Sequence, residues 1–490
     1  MGEEKSTKSE PGRLRQTIAA VLVNVASLAY GTMIGWPSPI TPQLQSVDTP
    51  VGNSPMTDEE TSWLTGALCV GALVSMPFCS IIAEKLGRRK TGFVMTVPFC
   101  MCWLLIIFAT DYSYLYIGRF FAGVGGAICF FLVPLYVSEI SADSIRGQLG
   151  SFLVFGINIG IVTGYVTGAA MSYHMSAVFG LVMPLLFLVG FVFVPETPVY
   201  LIRHDRPDDA ARSLLWLKNG DKAAVDRELL RIQLLVSEHV NEQDKSIGFK
   251  DLFRDRGTIK GFVIACGLMG GQQLCGITAM ISYAATIFKM AGSSMSPDTA
   301  AIIIGSIQVF GSWLSSVLME RAGRRPLLMV SCGGMAMCHC AIAIFCTMLN
   351  EGYDVDYFRW LPVASLSIYA LVYNVGMGSG PFIVASEIFN ADVRGLAISV
   401  AQFFMWALAF LLVKFFPAMM STMGVSGCFF FLALCCLANF IFVFILVPET
   451  KGRTLESIID ELNGFTGRFD EKNYVKASLE MSQKNINLPT

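Results

Sequence analysis

The chain has 490 residues, 54% of them hydrophobic and 15% charged, against roughly 25% charged in an ordinary soluble domain. Its 35 Lys and Arg nearly balance its 37 Asp and Glu, so it offers no general basic excess of the kind that holds nucleic acid. Composition therefore excludes a water-soluble enzyme and a nucleic-acid partner, and points to the lipid bilayer as the solvent.

A polar arm over 1–16, MGEEKSTKSEPGRLR and one further residue, lacks signal-peptide form, because a full-length apolar run follows it with no small-residue cleavage site. Gly2 and Ser6 fit the N-myristoylation pattern, but an acyl chain adds little to a chain with many spans. Apolar runs long enough to cross a bilayer, about 20 residues each, follow near 17–37, 62–83, 91–110, 114–137, 149–171 and 176–195. A polar segment over 196–258 comes next. Within it, RPDDAARSLLWLKNG and AAVDRELLRIQLLVSEHV carry apolar residues on a helical period, with Pro207 and Asp208 suited to a helix start, so short amphipathic helices are expected. Six further runs lie near 259–289, 298–319, 327–349, 361–386, 395–420 and 425–447, and a polar tail occupies 448–490. All fourteen cysteines fall in or at the ends of these runs and read as small buried hydrophobes. His339, between Cys338 and Cys340, reads as a packed or hydrogen-bonded helix residue, since neighbours one apart on a helix face different sides and cannot chelate together.

Thirty-one of the 35 Lys and Arg lie in the arm, in or at the edges of the even-numbered loops, or in the tail; Arg119, Lys289, Arg359 and Lys414 are elsewhere. By the positive-inside rule both termini and the 196–258 segment are cytoplasmic. The fold class expected is an all-α membrane protein of twelve transmembrane helices. They form two six-helix halves, 17–195 and 259–447, joined by a cytoplasmic helical linker.

The halves are written alike. EKLGRRK at 84–90 returns as ERAGRRP at 320–326, SEISADSIRG at 138–147 as SEIFNADVRG at 386–395, and VPET at 194–197 as VPET at 447–450. Such parallel repeats place a substrate site at their interface near the bilayer midplane. In order, a GRR turn after runs 2 and 8, an acidic residue seven before an Arg after runs 4 and 10, and PET after runs 6 and 12 resemble the sugar porters of the major facilitator superfamily over roughly 17–460. GTMIGWPSPITPQL in run 1 and DEETSWLTGAL before run 2 look like the insect-type facilitated trehalose transporter branch.

Arg88, Arg89, Glu139 and Arg146 in the first half, and Arg324, Arg325, Glu387 and Arg394 in the second, emerge at the cytoplasmic face. Charges at helix ends can bridge neighbours as bidentate Arg–carboxylate pairs, and networked pairs can bias an alternating-access equilibrium. The resemblance implies a cytoplasmic gating role for these eight positions, with Glu196 and Glu449 joining the networks. Arg119 lies inside run 4, either paired with carbonyls or carboxylates within the bundle or snorkelling outward.

A sugar needs neutral donors and acceptors beside aromatic faces. GGQQLCGITAMISYAATIF in run 7 supplies Gln272, Gln273, Thr278 and Tyr283; on an unbroken helix Gln272 and Tyr283 fall about 20° apart. Gln308 in run 8, and Asn374 and Phe382 around the irregular NVGMGSGPF of run 10, extend the candidate site, and Trp406 in run 11 either stacks on the sugar or packs. The resemblance assigns the paired glutamines to the sugar. The chain departs from animal glucose facilitators at Thr278, Asn374, Phe382 and Met405, and has Val154 at the position of the usual helix 5 glutamine, so glucose specificity does not carry over.

The expected activity is passive sugar uniport in the plasma membrane, of trehalose or a hexose such as glucose, with no enzymatic step, cofactor, metal or obligate protein partner. A proton-coupled symporter is the alternative, yet run 1 holds no Asp or Glu and Gly31 stands where related porters carry the acid. A non-transporting sugar sensor on the same fold is the third reading.

Overall fold

Lipid offers the backbone no water to bond, so a crossing segment must satisfy its own N–H and C=O groups. The described residues of this chain do so as helices, with no strand among them. A computed structural model describes residues 12–242, 252–253, 255–290, 295–389, 391–453 and 455–463. Gly2 and Ser6, part of the 196–258 linker and most of the tail lie outside the described residues.

The first half comprises α1 (Arg13–Gly35), α2 (Pro37–Leu44), α3 (Asp58–Leu86), α4 (Arg88–Ile107), α5 (Tyr112–Ile140), α6 (Asp143–Gly150), α7 (Phe152–Ala170) and α8 (Tyr173–Phe191). The linker folds as α9 (Pro198–Arg203), α10 (Pro207–Leu217) and α11 (Lys222–Glu242). The second half comprises α12 (Arg256–Leu274), α13 (Ile277–Ser282), α14 (Ala284–Met290), α15 (Pro297–Ala322), α16 (Arg324–Asn350), α17 (Leu361–Tyr373), a π-helical segment (Asn374–Gly378), α18 (Gly380–Glu387) and α19 (Ala391–Leu446); α20 (Leu455–Asn463) follows.

Among the described residues, eleven stretches are long and apolar enough to cross a membrane. The last holds 54 residues and turns at Gly424, whose φ is 70°, so it makes two crossings and completes twelve. Large apolar side chains such as Phe108, Val189, Met337 and Ile445 are exposed on the perimeter. Exposed apolar surface on this scale would be a liability in water and is the expected face toward lipid.

Helix ends carry their own signals. Thr57 and Glu60 form a reciprocal capping box on α3, Asp111 caps α5, Asp255 caps α12 and Ser296 caps α15. The two GRR turns share one geometry. Gly87 and Gly323 have φ of 89° and 92°, and a Cβ on them would stand 2.5 Å from Glu196 Oε2 and 2.7 Å from Glu449 Oε2. Only glycine fits either turn.

Within the first half, α1 and α7 touch backbone to backbone. A Cβ on Gly31 would come 2.1 Å from the Ile157 carbonyl oxygen, and one on Gly160 would come 2.2 Å from that of Leu28. Small residues permit this approach, which membrane helices use in place of a hydrophobic drive. The linker helices pack on small cores around Tyr200, Leu201 and Ala210, and around Leu214, Val225 and Ile232. Arg15 ties them to α1 by bonding the Trp216 carbonyl at 3.1 Å.

Candidate functional site

The seventh crossing is not one helix. It ends at Leu274, restarts after Gly276 in the left-handed region (φ 89°), and is interrupted again at Tyr283. The break frees the Cys275 carbonyl, which accepts from His339 Nε2 at 3.1 Å and from the Tyr369 hydroxyl at 3.0 Å. Irregular backbone at membrane depth is tolerated only when partners in the protein satisfy it, and here they come from α16 and α17.

The tenth crossing loosens at the same depth into the π-helical Asn374–Gly378. Gln272 sews the two irregular segments together, its amide nitrogen donating to the Met377 carbonyl at 2.7 Å and the Gly378 carbonyl at 3.1 Å. Ser331 Oγ accepts from the Met377 N–H at 3.2 Å. Beside them the Thr278 hydroxyl donates to Gln273 Oε1 at 2.6 Å. Gln272, Gln273 and Thr278 thus meet Met377 and Gly378 at one level of the bundle. Tyr283 does not join them. The breaks in the seventh crossing cancel the ideal helical phase, and its hydroxyl meets Thr65 Oγ1 of α3 at 2.7 Å and the Val413 carbonyl of α19 at 3.3 Å.

Residues of both halves converge on this level. Asn158 of α7 donates to Asn374 Oδ1 at 3.0 Å and to the Gln308 carbonyl at 3.4 Å. Phe130 of α5 stacks on Phe382 and meets Trp406 edge-on, with ring centroids 6.3 and 6.0 Å apart. Gln308 Oε1 and Trp406 Nε1 are buried without a hydrogen-bond partner among the described residues. An acceptor and a donor left open among amides and aromatic faces is the chemistry that sugar hydroxyls and ring faces complete.

The halves also meet at the bundle end away from α9–α11. The Ala285 N–H donates to Ser38 Oγ at 3.2 Å, the Tyr165 hydroxyl to the Ile281 carbonyl at 2.9 Å, and Lys414 Nζ to Ser62 Oγ at 2.8 Å while lying 4.3 Å from the Trp63 ring centroid. Between these contacts and the paired glutamines, Tyr165, Gln308 and Tyr369 line a cavity of about 10 Å³, room for about one water. The structure is therefore closed at that end. A larger hollow of about 490 Å³ lies between α7, α8 and α15, but its walls are mostly apolar, Ile159, Val162, Phe179 and Val309 among them with the hydroxyls of Thr163, Thr167 and Ser306, and suit lipid rather than sugar.

At the linker end the repeated charges brace each half separately. Arg88 pairs with Glu139 at 2.8 Å and Glu84 at 2.9 Å, and Arg324 pairs with Glu387 at 2.8 Å. Both pairs join helices of the same half, and both are made while the opposite end is closed. Arg146 and Arg394 donate to the carbonyls of Ser141 and Phe389, at the turns just before their own helices. Arg89 and Arg325 reach the carbonyls of Val192 and Phe444.

The PET glutamates were expected in the guanidinium networks and instead cap helices. Glu196 accepts the Arg88 N–H at 2.9 Å and the Arg89 N–H at 3.0 Å, and Glu449 accepts those of Arg324 at 3.0 Å and Arg325 at 3.1 Å. A carboxylate there satisfies the orphan donors of α4 and α16 and meets the positive end of each helix. Burial pushes the Glu196 carboxyl above the usual range in spite of the N–H donors. At Glu449 burial also pushes upward, but the N–H groups of Lys451, Arg324, Arg325 and Thr450 outweigh it and hold the carboxyl below that range.

The family described as "Sugar (and other) transporter" matches residues 19–462. The chain belongs to this sugar transporter family. It is 33% identical over 449 residues to the facilitated trehalose transporter Tret1 of Polypedilum vanderplanki, spanning 92% of this chain and 88% of that one. The Tret1 of Bombyx mori is 33% identical over 454 residues, spanning 93% and 88%. Among solved structures, the xylose transporter XylE from E. coli in a partially occluded inward-open conformation superposes with a TM-score of 0.74 at 20% identity, covering 90% of this chain and 99% of that one. The proton:xylose symporter XylE bound to 6-bromo-6-deoxy-D-glucose gives 0.73 at 19%, covering 91% and 99%. These structures share the fold.

For a sugar transporter, the treatment of Arg119 is telling. It is buried and does not snorkel. Its guanidinium donates to the Leu64 carbonyl at 3.2 Å and to the Met33 carbonyl, tying α5 to α3 and α1. Gly31, two residues before Met33, is pressed against α7 and leaves no room for a carboxylate. Sequence reasoning passed over Asn158, Phe130, Thr65 and Ser38. Of these, Asn158 carries a readable signal, an amide within the apolar span FGINIGIV.

Proposed function

We propose that this multi-pass membrane protein is a facilitative transporter of trehalose or a hexose, set in the plasma membrane with both termini and the 196–258 linker on the cytoplasmic side. The two halves, 17–195 and 259–447, rock about a central site whose sugar-binding residues are Gln272, Gln273, Thr278, Gln308, Asn374, Phe382 and Trp406. Tyr283 serves the outer closure beside the site. The observation that carries this reading is the neutral amide and aromatic cluster between the halves, with Gln308 Oε1 and Trp406 Nε1 open to a ligand.

Uniport is favoured over symport by Gly31. A proton carrier must be an ionisable group within the membrane, and a side chain at Gly31 would collide with the Ile157 carbonyl. The names of the relatives support trehalose as the first substrate to try. The repeated charges act as braces that keep each half rigid while it rocks.

The test is uptake of radiolabelled trehalose and glucose into proteoliposomes, with and without an imposed proton gradient. Gradient-independent equilibration of either sugar supports uniport. Accumulation that requires the gradient overturns it in favour of symport, and binding without flux overturns it in favour of sensing.

A further inference from the structure

We infer that Asn158 is a sugar-contacting residue whose amide alternates between a latch to Asn374 and a bond to the transported sugar. The inference rests on the sugar-transport reading and adds a first-half ligand to a site otherwise built largely from the second half.

Asn158 is 6% exposed and Asn374 3%, and their amides bond directly across the two halves at 3.0 Å. The second hydrogen of the same Asn158 nitrogen points to the Gln308 carbonyl at 3.4 Å, on the residue whose own Oε1 lacks a partner among the described residues. The Asn374 nitrogen is held by the Ala370 carbonyl at 2.9 Å, so Asn374 offers its oxygen and Asn158 its nitrogen. When the halves part at this depth, that donor and that acceptor both lose their partner in a low-dielectric interior, which costs free energy unless something replaces it.

A sugar hydroxyl is both donor and acceptor. One hydroxyl can accept from Asn158 Nδ2 while another donates to Asn374 Oδ1 or Gln308 Oε1. Latch and ligand then compete for the same atoms. The empty transporter must break the amide pair to reorient, whereas the loaded one has already exchanged it, so the loaded transporter reorients faster.

This makes a kinetic signature distinct from loss of packing. In proteoliposomes, equilibrium exchange of the wild-type substrate, trehalose or glucose, is expected to run several-fold faster than net influx. In Asn158→Leu, which keeps the branched shape of the side chain but removes its amide, KM is expected to rise about tenfold, as for one lost hydrogen bond to a buried partner, and the ratio of exchange to net influx to fall toward one. Asn158→Ala provides the same test should the leucine side chain fold poorly. A KM within twofold of wild type in both variants overturns the inference while leaving sugar transport in place. So does a raised KM with an unchanged exchange ratio, which would make Asn158 a packing residue. A wild-type protein that carries neither sugar defeats the transport reading itself, and that outcome is separable because it needs no variant.

Discussion

The closed end of the bundle holds a contact whose removal should be visible. Lys414 on α19 lies 4.3 Å from the Trp63 ring centroid on α3 and donates to Ser62 Oγ at 2.8 Å, so one ammonium spans the two halves. A cation over an indole contributes about 0.5–1 kcal/mol at exposed sites. Trp63 is 42% exposed, which argues for the lower part of that range. The bond to Ser62 adds about 1 kcal/mol. Lys414→Met keeps the aliphatic stem and removes both, so closure at this end should weaken by about 1–2 kcal/mol, a factor of about 5–30 in population. Ser38 is a suitable reporter, because it is 1% exposed and accepts the Ala285 N–H across the same closure. With Ser38→Cys in both backgrounds, a membrane-impermeant maleimide added from the side away from the linker should label the Lys414→Met protein that much faster. Lys414→Arg, which can also lie over Trp63, should label at a rate near wild type. Equal labelling in the Met variant and its parent would refute the reasoning, and Lys414 would then be a half-buried charge of no energetic consequence.

Gln272→Ala should abolish high-affinity sugar binding and also lower thermal stability, because the buried carbonyls of Met377 and Gly378 lose their donor at about 1–3 kcal/mol each; binding calorimetry and a melting curve read the two effects separately. Arg88→Ala should damage folded yield more than Arg324→Ala. The Arg88–Glu139 side chains are 1% and 9% exposed against 17% and 28% for Arg324–Glu387, and stranding the more buried carboxylate costs more; size-exclusion yield after detergent extraction compares them. Glu449→Gln should lower the melting temperature at pH 7. The depressed Glu449 carboxyl contributes stability that is present above the usual carboxylate value of 4.5 and lost as pH falls through its folded value, so the deficit should close in acid. Glu196, raised by burial, has the opposite sign, and Glu196→Gln should cost less at pH 7.

The architecture was legible because lipid imposes a length on every crossing and the chain repeats its own end signals. GRR, the paired acid and arginine, and PET sit where helices meet water, and there the sequence spacing translates directly into contacts such as Arg88 with Glu139. Between the last two crossings the sequence shows four residues of separation, while the backbone runs on as helix and turns at Gly424 alone. No polar loop is needed when a single left-handed glycine reverses the register.

The candidate site's polar cluster was legible in residue type and less so in geometry. The paired glutamines announce themselves, but their phase relative to Tyr283 depends on Gly276 adopting φ 89°, and helical counting assumes it does not. Asn158 lies one turn from Val154, the place of the missing glutamine. An amide moved by one turn remains on the same face of α7, so a search by position misses what a search by face would find.

The ends of the two halves are near copies, and their middles differ. Gly87 with Glu196 and Gly323 with Glu449 repeat down to the N–H groups each glutamate accepts, which gives both halves the same rigid corner. At mid-depth the second half has two broken crossings, at 275–276 and 374–378, and the first half answers with the glycine-sealed contact of α1 and α7. A broken crossing frees carbonyls and amides that can change partners, whereas a glycine seam fixes two backbones against each other. The second half therefore carries the exchangeable polar groups and the first half acts as the stiff wall against which they close, with Asn158 the point where that wall joins the exchange.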